Sequence, residues 1–341
     1  MQKLSDILVP ATYLASYLDA PELDNARLES ILSQAPIDVS TLSGEQARIS
    51  LDRLLQTLAL IDEISPPGWH IGPTLRLEAA HHGPLGVAMV TAPDLGSALD
   101  CLIRFETLRS PWTVLQAKTA ESSIDCAGAL RIRVLPTLAL PAPGDLLMEI
   151  NLIALAGLVA ELAGRHRRRL QTDLPDRYRP WANQLRQALP GNVRFQGHHY
   201  QLSLPVELLD QPCLLAEPGL HASALRRCEE LLNRDNDNGP TAARVHQQLM
   251  ALNGRNPGLP AMARRLGLSE RTLIRRLDSE DSSYRGLVDR VRQTLARDWL
   301  HHTDMPVSRI AELLGYRDPA NFGRAFRRWT GISPGALRGR R

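Results

Sequence analysis

One pattern occurs twice near the end of this chain, and it constrains the fold more than any other feature of the 341 residues. The first copy is Leu259–Leu277, LPAMARRLGLSERTLIRRL; the second is Val307–Phe326, VSRIAELLGYRDPANFGRAF. Ala263, Leu266 and Gly267 match Ala311, Leu314 and Gly315 at an offset of 48, and Leu273, Arg275 and Leu277 match Phe322, Arg324 and Phe326 at an offset of 49. The one-residue difference falls in the turn, where an insertion costs least.

Each copy reads as a helix, a tight turn and a second helix. A small alanine on the first helix lets the second approach closely. A glycine then ends the helix at a backbone angle that other residues avoid. Leu268 or Tyr316 plugs the gap beneath the turn, and Ser269 or Asp318 caps the second helix. That helix buries Leu273 and Leu277, or Phe322 and Phe326, at i, i+4 spacing. Its opposite face holds Arg271, Thr272 and Arg275 in one copy and Ala320, Asn321 and Arg324 in the other. In a helix-turn-helix this face enters the major groove. There Arg bonds guanine bidentately, Asn pairs with adenine, and small or apolar groups touch the thymine methyl. Arg327 and Arg328 lie further along the helix and are assigned to phosphate, as are Arg276 and Arg317.

Charge follows the same division. From Pro240 to the C-terminus there are 19 Arg, no Lys and 9 acidic residues, a net +10; the first 239 residues hold 21 Lys+Arg against 28 acidic, a net −7. A basic module joined to an acidic one places the polyanion at the basic end.

The polar run Asn233–Pro240, NRDNDNGP, reads as the linker between them. It is not a calcium loop: counted from Asp235, the fifth and twelfth positions are Gly239 and His246. The sequence therefore divides into 1–232, a linker over 233–240, and 241–341. In the front part, helical spacing covers Leu42–Ile64, Asp94–Leu108, Leu146–Ala163 and His221–Asn233, and strand patterns cover Thr113–Ala117, Leu130–Leu135, Val193–Phe195 and Tyr200–Leu204. That predicts a mixed α/β, helix-rich domain. Behind the linker every segment reads as helix, at about 241–253, 259–266, 269–279, 283–300, 307–314 and 318–330, with a turn from Pro334. That predicts an all-α domain with two helix-turn-helix units, about 259–279 and 307–330, joined by a long helix over 284–300.

The last hundred residues resemble the AraC/XylS family of bacterial transcription regulators, and Ile310–Pro334, IAELLGYRDPANFGRAFRRWTGISP, resembles that family's signature almost residue for residue. The resemblance implies recognition helices in successive major grooves, about one helical turn (~34 Å) apart. It implies promoter DNA as partner, RNA polymerase as a further one, and a role in activation. Two positions depart from the family pattern. Asp281 stands where the family often has Gly, a place that Asp tolerates. Ile274 stands where a polar base-reader is common, and it is expected to contact either a thymine methyl or no base at all. Residues from about 15 to 205 resemble the family's arabinose-binding-type effector domain, through Gly83-Pro84-Leu85-Gly86, Thr91-Ala92-Pro93-Asp94-Leu95, Ala98-Leu99 and Ser110-Pro111. This implies regulation and does not specify arabinose.

Two readings of the front domain stay open: a sensor for a small-molecule effector, or a dimerisation or protein-partner module without one. Trp69, His70, Arg104 and Trp112 are the candidate pocket residues for the first. An enzyme finds no catalytic constellation. Gly331-Ile332-Ser333-Pro334-Gly335 matches G-x-S-x-G, but a helix precedes it where the nucleophile elbow needs a strand. The doublets His81-His82, His198-His199 and His301-His302 point to different faces, so none makes a two-ligand metal site. Arg165–Arg169, RHRRR, reads as a solvated helix end. Cys101, Cys126, Cys213 and Cys228 are scattered, which argues against zinc or a disulfide framework and for reduced thiols. No cofactor is expected. There is no stretch of 18 uncharged apolar residues and no long apolar leader after Met1, so the expectation is a cytoplasmic chain with no membrane span.

Overall fold

The computed structural model describes residues 4–18, 47–120, 128–138, 140–177, 179–197, 199–238, 241–252, 254–280, 282–302 and 305–339. The chain divides into two compact units, Lys3–Arg234 and Asp235–Arg341. The first mixes helix and strand and the second is helical, the fold class expected from the sequence. Cys126, His198 and Asp281 lie outside the described residues.

In the first unit β1 (Leu8–Pro10) pairs antiparallel with β2 (Arg48–Ser50). A five-stranded sheet has the order β3-β4-β7-β5-β6, built from β3 (Thr113–Ala120), β4 (Ala129–Pro136), β5 (Gln171–Pro175), β6 (Asn192–Gly197) and β7 (Tyr200–Pro205). Its pairings are antiparallel except for β5 with β6. The helices are α1 (Thr12–Leu18), α2 (Leu51–Ile64), α3 (Ile71–Leu75), α4 (Gly83–Val90), α5 (Leu95–Arg109), α6 (Gly144–Ala163), α7 (Ala182–Ala188) and α8 (Pro218–Asn238).

Helix α6 organises this unit. It is apolar on every face, which a helix tolerates only when it is surrounded. Leu152, Ile153, Leu155, Leu158 and Val159 pack into a core shared with α4, α5 and the sheet. Leu146, Leu147 and Ile150 pack into a second core with α1 and α2. The span Gly144–Arg169 is long and apolar enough to cross a membrane, but 83% of its most apolar 18-residue stretch, of mean hydropathy 1.9, is buried within the protein.

Two boundaries differ from expectation. The helix expected over Leu42–Ile64 starts at Leu51, because Ser50 accepts the Arg53 N–H as an N-cap and residues 48–50 are drawn into β2. The run Asn233–Asn238, read as linker, continues α8. Asn and Asp weaken a helix by less than about 1 kcal/mol each, and no proline interrupts the run before Pro240.

The second unit contains α9 (Thr241–Ala251), α10 (Leu259–Arg265), α11 (Glu270–Ser279), α12 (Tyr284–His302), α13 (Val307–Leu313), α14 (Pro319–Thr330) and α15 (Pro334–Arg338). Leu287, Val291, Leu295, Trp299 and Leu300 of α12 are buried, so this helix is the shared core of both halves. The Glu280 carboxylate accepts the N–H groups of Thr241 (2.6 Å) and Ala242 (2.7 Å), tying the end of α11 to the start of α9. Ser333 accepts the Ala336 N–H, so it serves as the cap of α15.

The first unit carries an acid-sensitive contact. His82 is buried and shares a 2.8 Å hydrogen bond with Tyr13. Burial, then the charges of Arg109 and His81, pull its pKa down to about 3. Between that value and the ordinary 6.5 the unfolded chain binds the proton and the fold does not, so stability falls as pH drops through this window. From pH 6.5 to 5 the loss is about 2 kcal/mol. Urea unfolding of the first unit should show it, and His82→Gln should flatten the slope; equal slopes in the two proteins would contradict the assignment.

Candidate nucleic-acid interface

The two repeats are built alike down to single hydrogen bonds. Leu268 N–H donates to Ala263 O at 2.9 Å, and Tyr316 N–H donates to Ala311 O at 2.9 Å. The glycines between them, Gly267 and Gly315, have φ of +66° and +80°, where a Cβ costs roughly 1–2 kcal/mol. Ser269 accepts the Thr272 N–H and Asp318 accepts the Ala320 N–H, so both second helices start on a side-chain cap. Ala263 and Ala311 are buried, which seats α10 beneath α11 and α13 beneath α14.

That packing decides which face looks outward. Helix α11 buries Leu273 and Leu277, and α14 buries Phe322, Ala325 and Phe326. The Phe322 and Phe326 rings lie 5.7 Å apart and Tyr316 lies 5.6 Å from Phe322, so the tyrosine does close the turn. On the opposite faces Arg271, Ile274, Arg275, Ala320, Asn321 and Arg324 are exposed. Thr272 is half-buried, and its hydroxyl is engaged 2.8 Å from Ser269 Oγ. Arg324 donates to Asn321 Oδ1, which places the two polar side chains side by side.

Among the arginines assigned to phosphate, Arg317 and Arg327 are exposed and Arg276 is half-buried. Arg328 is exposed and pairs with Asp289 of α12 at 3.2 Å. Arg292 makes a second tie. Its Nε donates to Gly254 O at 3.3 Å, and its guanidinium lies 4.7 Å from the Tyr316 ring centre. Sequence reasoning passed over Arg292, because a single Arg in a helix carries no pattern. Between α12 and α14 an open cleft of about 600 Å³ is lined by Tyr284, Arg285, Arg292, Asn321, Arg324 and Arg328 among others. Arg285 is a cation the repeats did not point to.

In the first unit the four candidate pocket residues do not converge. Trp69 is buried and donates to Asp62 at 2.9 Å. His70 is buried against Glu149 at 3.1 Å. Arg104 is exposed and pairs with Glu229 at 2.7 Å. Trp112 lines a cavity, a space of about 40 Å³ walled by α1, α2 and α6 and by Arg109 and Ser110, which the other three do not line. Tyr13, Tyr17, Arg109 and Asn151 join it there, and no sequence periodicity pointed to them.

Beside this cavity lies a dense buried charge cluster. Glu149 is fully buried and accepts from Arg179 Nε (2.6 Å), Trp181 Nε1 (2.5 Å) and His70 Nε2 (3.1 Å). Burial opposes its charge, but the bonds from His70, Arg179 and Trp181 outweigh that and hold its carboxyl at about 2. Among the described residues no group of three or more metal-ligating side chains is found. Cys101, Cys213 and Cys228 are free and buried.

Comparison with known proteins bears on both units. A helix-turn-helix domain family matches residues 262–340. The arabinose-binding domain of AraC transcription regulators, N-terminal, matches residues 26–213. The ornithine utilization regulator of Pseudomonas aeruginosa is 29% identical over 334 residues, which is 97% of this chain and 96% of that protein. The HTH-type transcriptional regulator VqsM of the same organism is 35% identical over 143 residues, covering 41% of this chain and 44% of that one. The crystal structure of the P. aeruginosa transcriptional regulator CdpR superposes with a TM-score of 0.41 at 24% identity, covering 94% of this chain and 100% of that one.

Proposed function

Because the chain belongs to the AraC family of transcription regulators, we propose that it is a sequence-specific activator whose N-terminal domain senses a small-molecule effector. It is a regulator and not an enzyme, as are the families and relatives that it matches. Reading of DNA is assigned to Arg271, Ile274 and Arg275 on α11 and to Ala320, Asn321 and Arg324 on α14, with Thr272 contributing as far as its tie to Ser269 allows. Arg276, Arg317 and Arg327 are assigned to phosphate, and Arg328 once it is released from Asp289. Action in the cytoplasm and contact with RNA polymerase at the promoter follow from that role.

The observation that carries this reading is the repeated exposure of a polar, arginine-bearing helix face over a duplicated scaffold. Four phosphate contacts predict a slope of about −3.6 in log K against log salt, roughly a hundredfold loss from 50 to 200 mM. Full-length protein in a fluorescence anisotropy titration gives this directly, and a slope near zero would sink the phosphate assignment.

Effector sensing means that ligand binding shifts a population between DNA-competent and incompetent states. The relative's printed name speaks of ornithine utilisation. Ornithine carries two ammonium groups. No carboxylate lines the N-terminal cavity among the described residues, and Glu106, behind Arg109, is already bound to it, so ornithine is not carried over to this chain. A thermal-shift screen of the full chain against metabolites tests sensing itself: a ligand at about 100 times its Kd adds about 2.7 kcal/mol.

A second reading is favoured by one observation. Leu214, Leu215 and Leu220, around the start of α8, are exposed, Leu214 almost completely at 98%. If the N-terminal domain is a dimerisation module, aspartate at Leu214 and Leu215 converts a dimer to a monomer in sedimentation velocity. A wild-type chain that is already monomeric removes this reading.

A further inference from the structure

We propose that the cavity between α1, α2 and α6 is the effector site, and that it takes a small uncharged molecule with an apolar body and one hydrogen-bond acceptor, such as a ketone or lactone. The proposal rests on the sensor reading given above and names the chemistry of its ligand.

The walls set the apolar part. They are leucine and isoleucine side chains of α1, α2 and α6, together with Leu77 and Ala154. The polar groups among them are mostly committed. Tyr13 Oη bonds His82, and Tyr17 Oη bonds Thr74. Arg109 donates through Nε (3.2 Å) and Nη2 (3.0 Å) to Glu106 and through Nη2 (2.8 Å) to Asn151, and Ser110 Oγ donates to the same Asn151 oxygen at 3.2 Å. Of the buried polar atoms on these walls, Trp112 Nε1 is the one with no partner among the described residues, and Trp112 is 4% exposed.

An indole N–H can only donate, and burying it unsatisfied costs about 1–3 kcal/mol. A ligand acceptor removes that penalty. A water serves poorly, because a buried water needs two to four polar partners and these walls offer mainly hydrocarbon. Charge is excluded by the same bookkeeping. Arg109 and Glu106 are both buried and neutralise each other. A carboxylate or ammonium ligand would enter with no unpaired counter-charge and lose several kcal/mol of hydration.

The size of the cavity supplies the coupling. About 40 Å³ holds roughly three waters, so a metabolite fits only if the walls formed by α1, α2 and α6 move apart. Tyr13, Leu14 and Tyr17 are the side chains of α1 on that wall. Binding therefore selects a repacked state, which is what a signal needs.

The test uses full-length protein carrying 5-fluorotryptophan, whose five tryptophans report in a fluorine NMR spectrum. Trp112→Phe identifies the Trp112 signal. γ-Octalactone should shift that signal and raise the melting temperature of the N-terminal unit. Octanoate, equally long but charged, should bind at least about 10-fold more weakly. Trp112→Phe, which stays aromatic but trims the indole to a phenyl ring and drops the donor, should weaken γ-octalactone by at least about 10-fold, the worth of one hydrogen bond. Ala154→Leu, which fills the space, should abolish the response. Octanoate binding as tightly as the lactone would overturn the ligand class and leave the sensor reading standing. A Trp112 signal that γ-octalactone leaves unmoved would overturn the site. The metabolite screen then separates the two ideas, since a charged stabiliser found there keeps the sensor reading alive without this cavity.

Discussion

Arg324→Ala should collapse the difference between specific and non-specific DNA binding while leaving the fold intact. Arg324 stands on the exposed face of α14, two residues before the buried Phe326 and beside Asn321. A bidentate contact to guanine is worth about 1–3 kcal/mol of discrimination, or roughly 5- to 150-fold. Its removal takes away no core contact, so circular dichroism and thermal melting should match wild type. Phe326→Ala is the contrasting variant. It empties a fully buried site and should cost about 3–5 kcal/mol, lowering DNA binding through unfolding. An Arg324→Ala protein that keeps its sequence preference in competition gel shifts would remove α14 as a reader.

Glu149→Ala should lower the melting point of the N-terminal unit by about 10 °C and spare the other unit. The carboxylate accepts three hydrogen bonds in a site with no solvent exposure. Without it the buried Arg179 guanidinium keeps its charge and loses its counter-ion. Its Nη2 has no partner among the described residues. Breaking one side of a buried pair costs about 3–5 kcal/mol, and for a domain of this size each kcal/mol moves the melting point by roughly 2–4 °C. Glu149→Gln should do less harm, because it keeps the shape and one acceptor. The pH dependence has a fixed sign. A carboxyl held at about 2 gives its stability in full above about 4.5 and loses it as pH falls between those values. The His82 effect begins near pH 6.5, so the window from 5 to 6.5 isolates it from Glu149. An alanine variant that melts with wild type would mean that the cluster holds nothing together.

How much was legible in the sequence varied with how local the signal was. Gly267 and Gly315, with their caps Ser269 and Asp318, are local signals, and both turns appear at those residues. The apolar run of α6 was legible as a helix, but not which core each of its faces serves, because an all-round apolar helix has no directional pattern. Strand β5 was missed: QTDLP is short, and it is held by pairing to β6 and β7 from far along the chain. Of the cavity residues Tyr13, Arg109, Trp112 and Asn151, only Trp112 was a candidate from the sequence; the others meet it only through the tertiary fold, and their spacing in sequence means nothing alone. The ion pair of Arg328 with Asp289 spans 39 residues, and no local pattern pointed to it.

The central claim is that two matched helix-turn-helix faces read one continuous site. In vitro selection from a random duplex library with the full-length protein tests it most directly. The enriched sequences should contain two separate conserved base clusters with centres about 10 base pairs apart, one for α11 and one for α14. Inserting five base pairs between them should abolish the gain from the second cluster. A single cluster, or a pair whose binding ignores the insertion, would contradict the account.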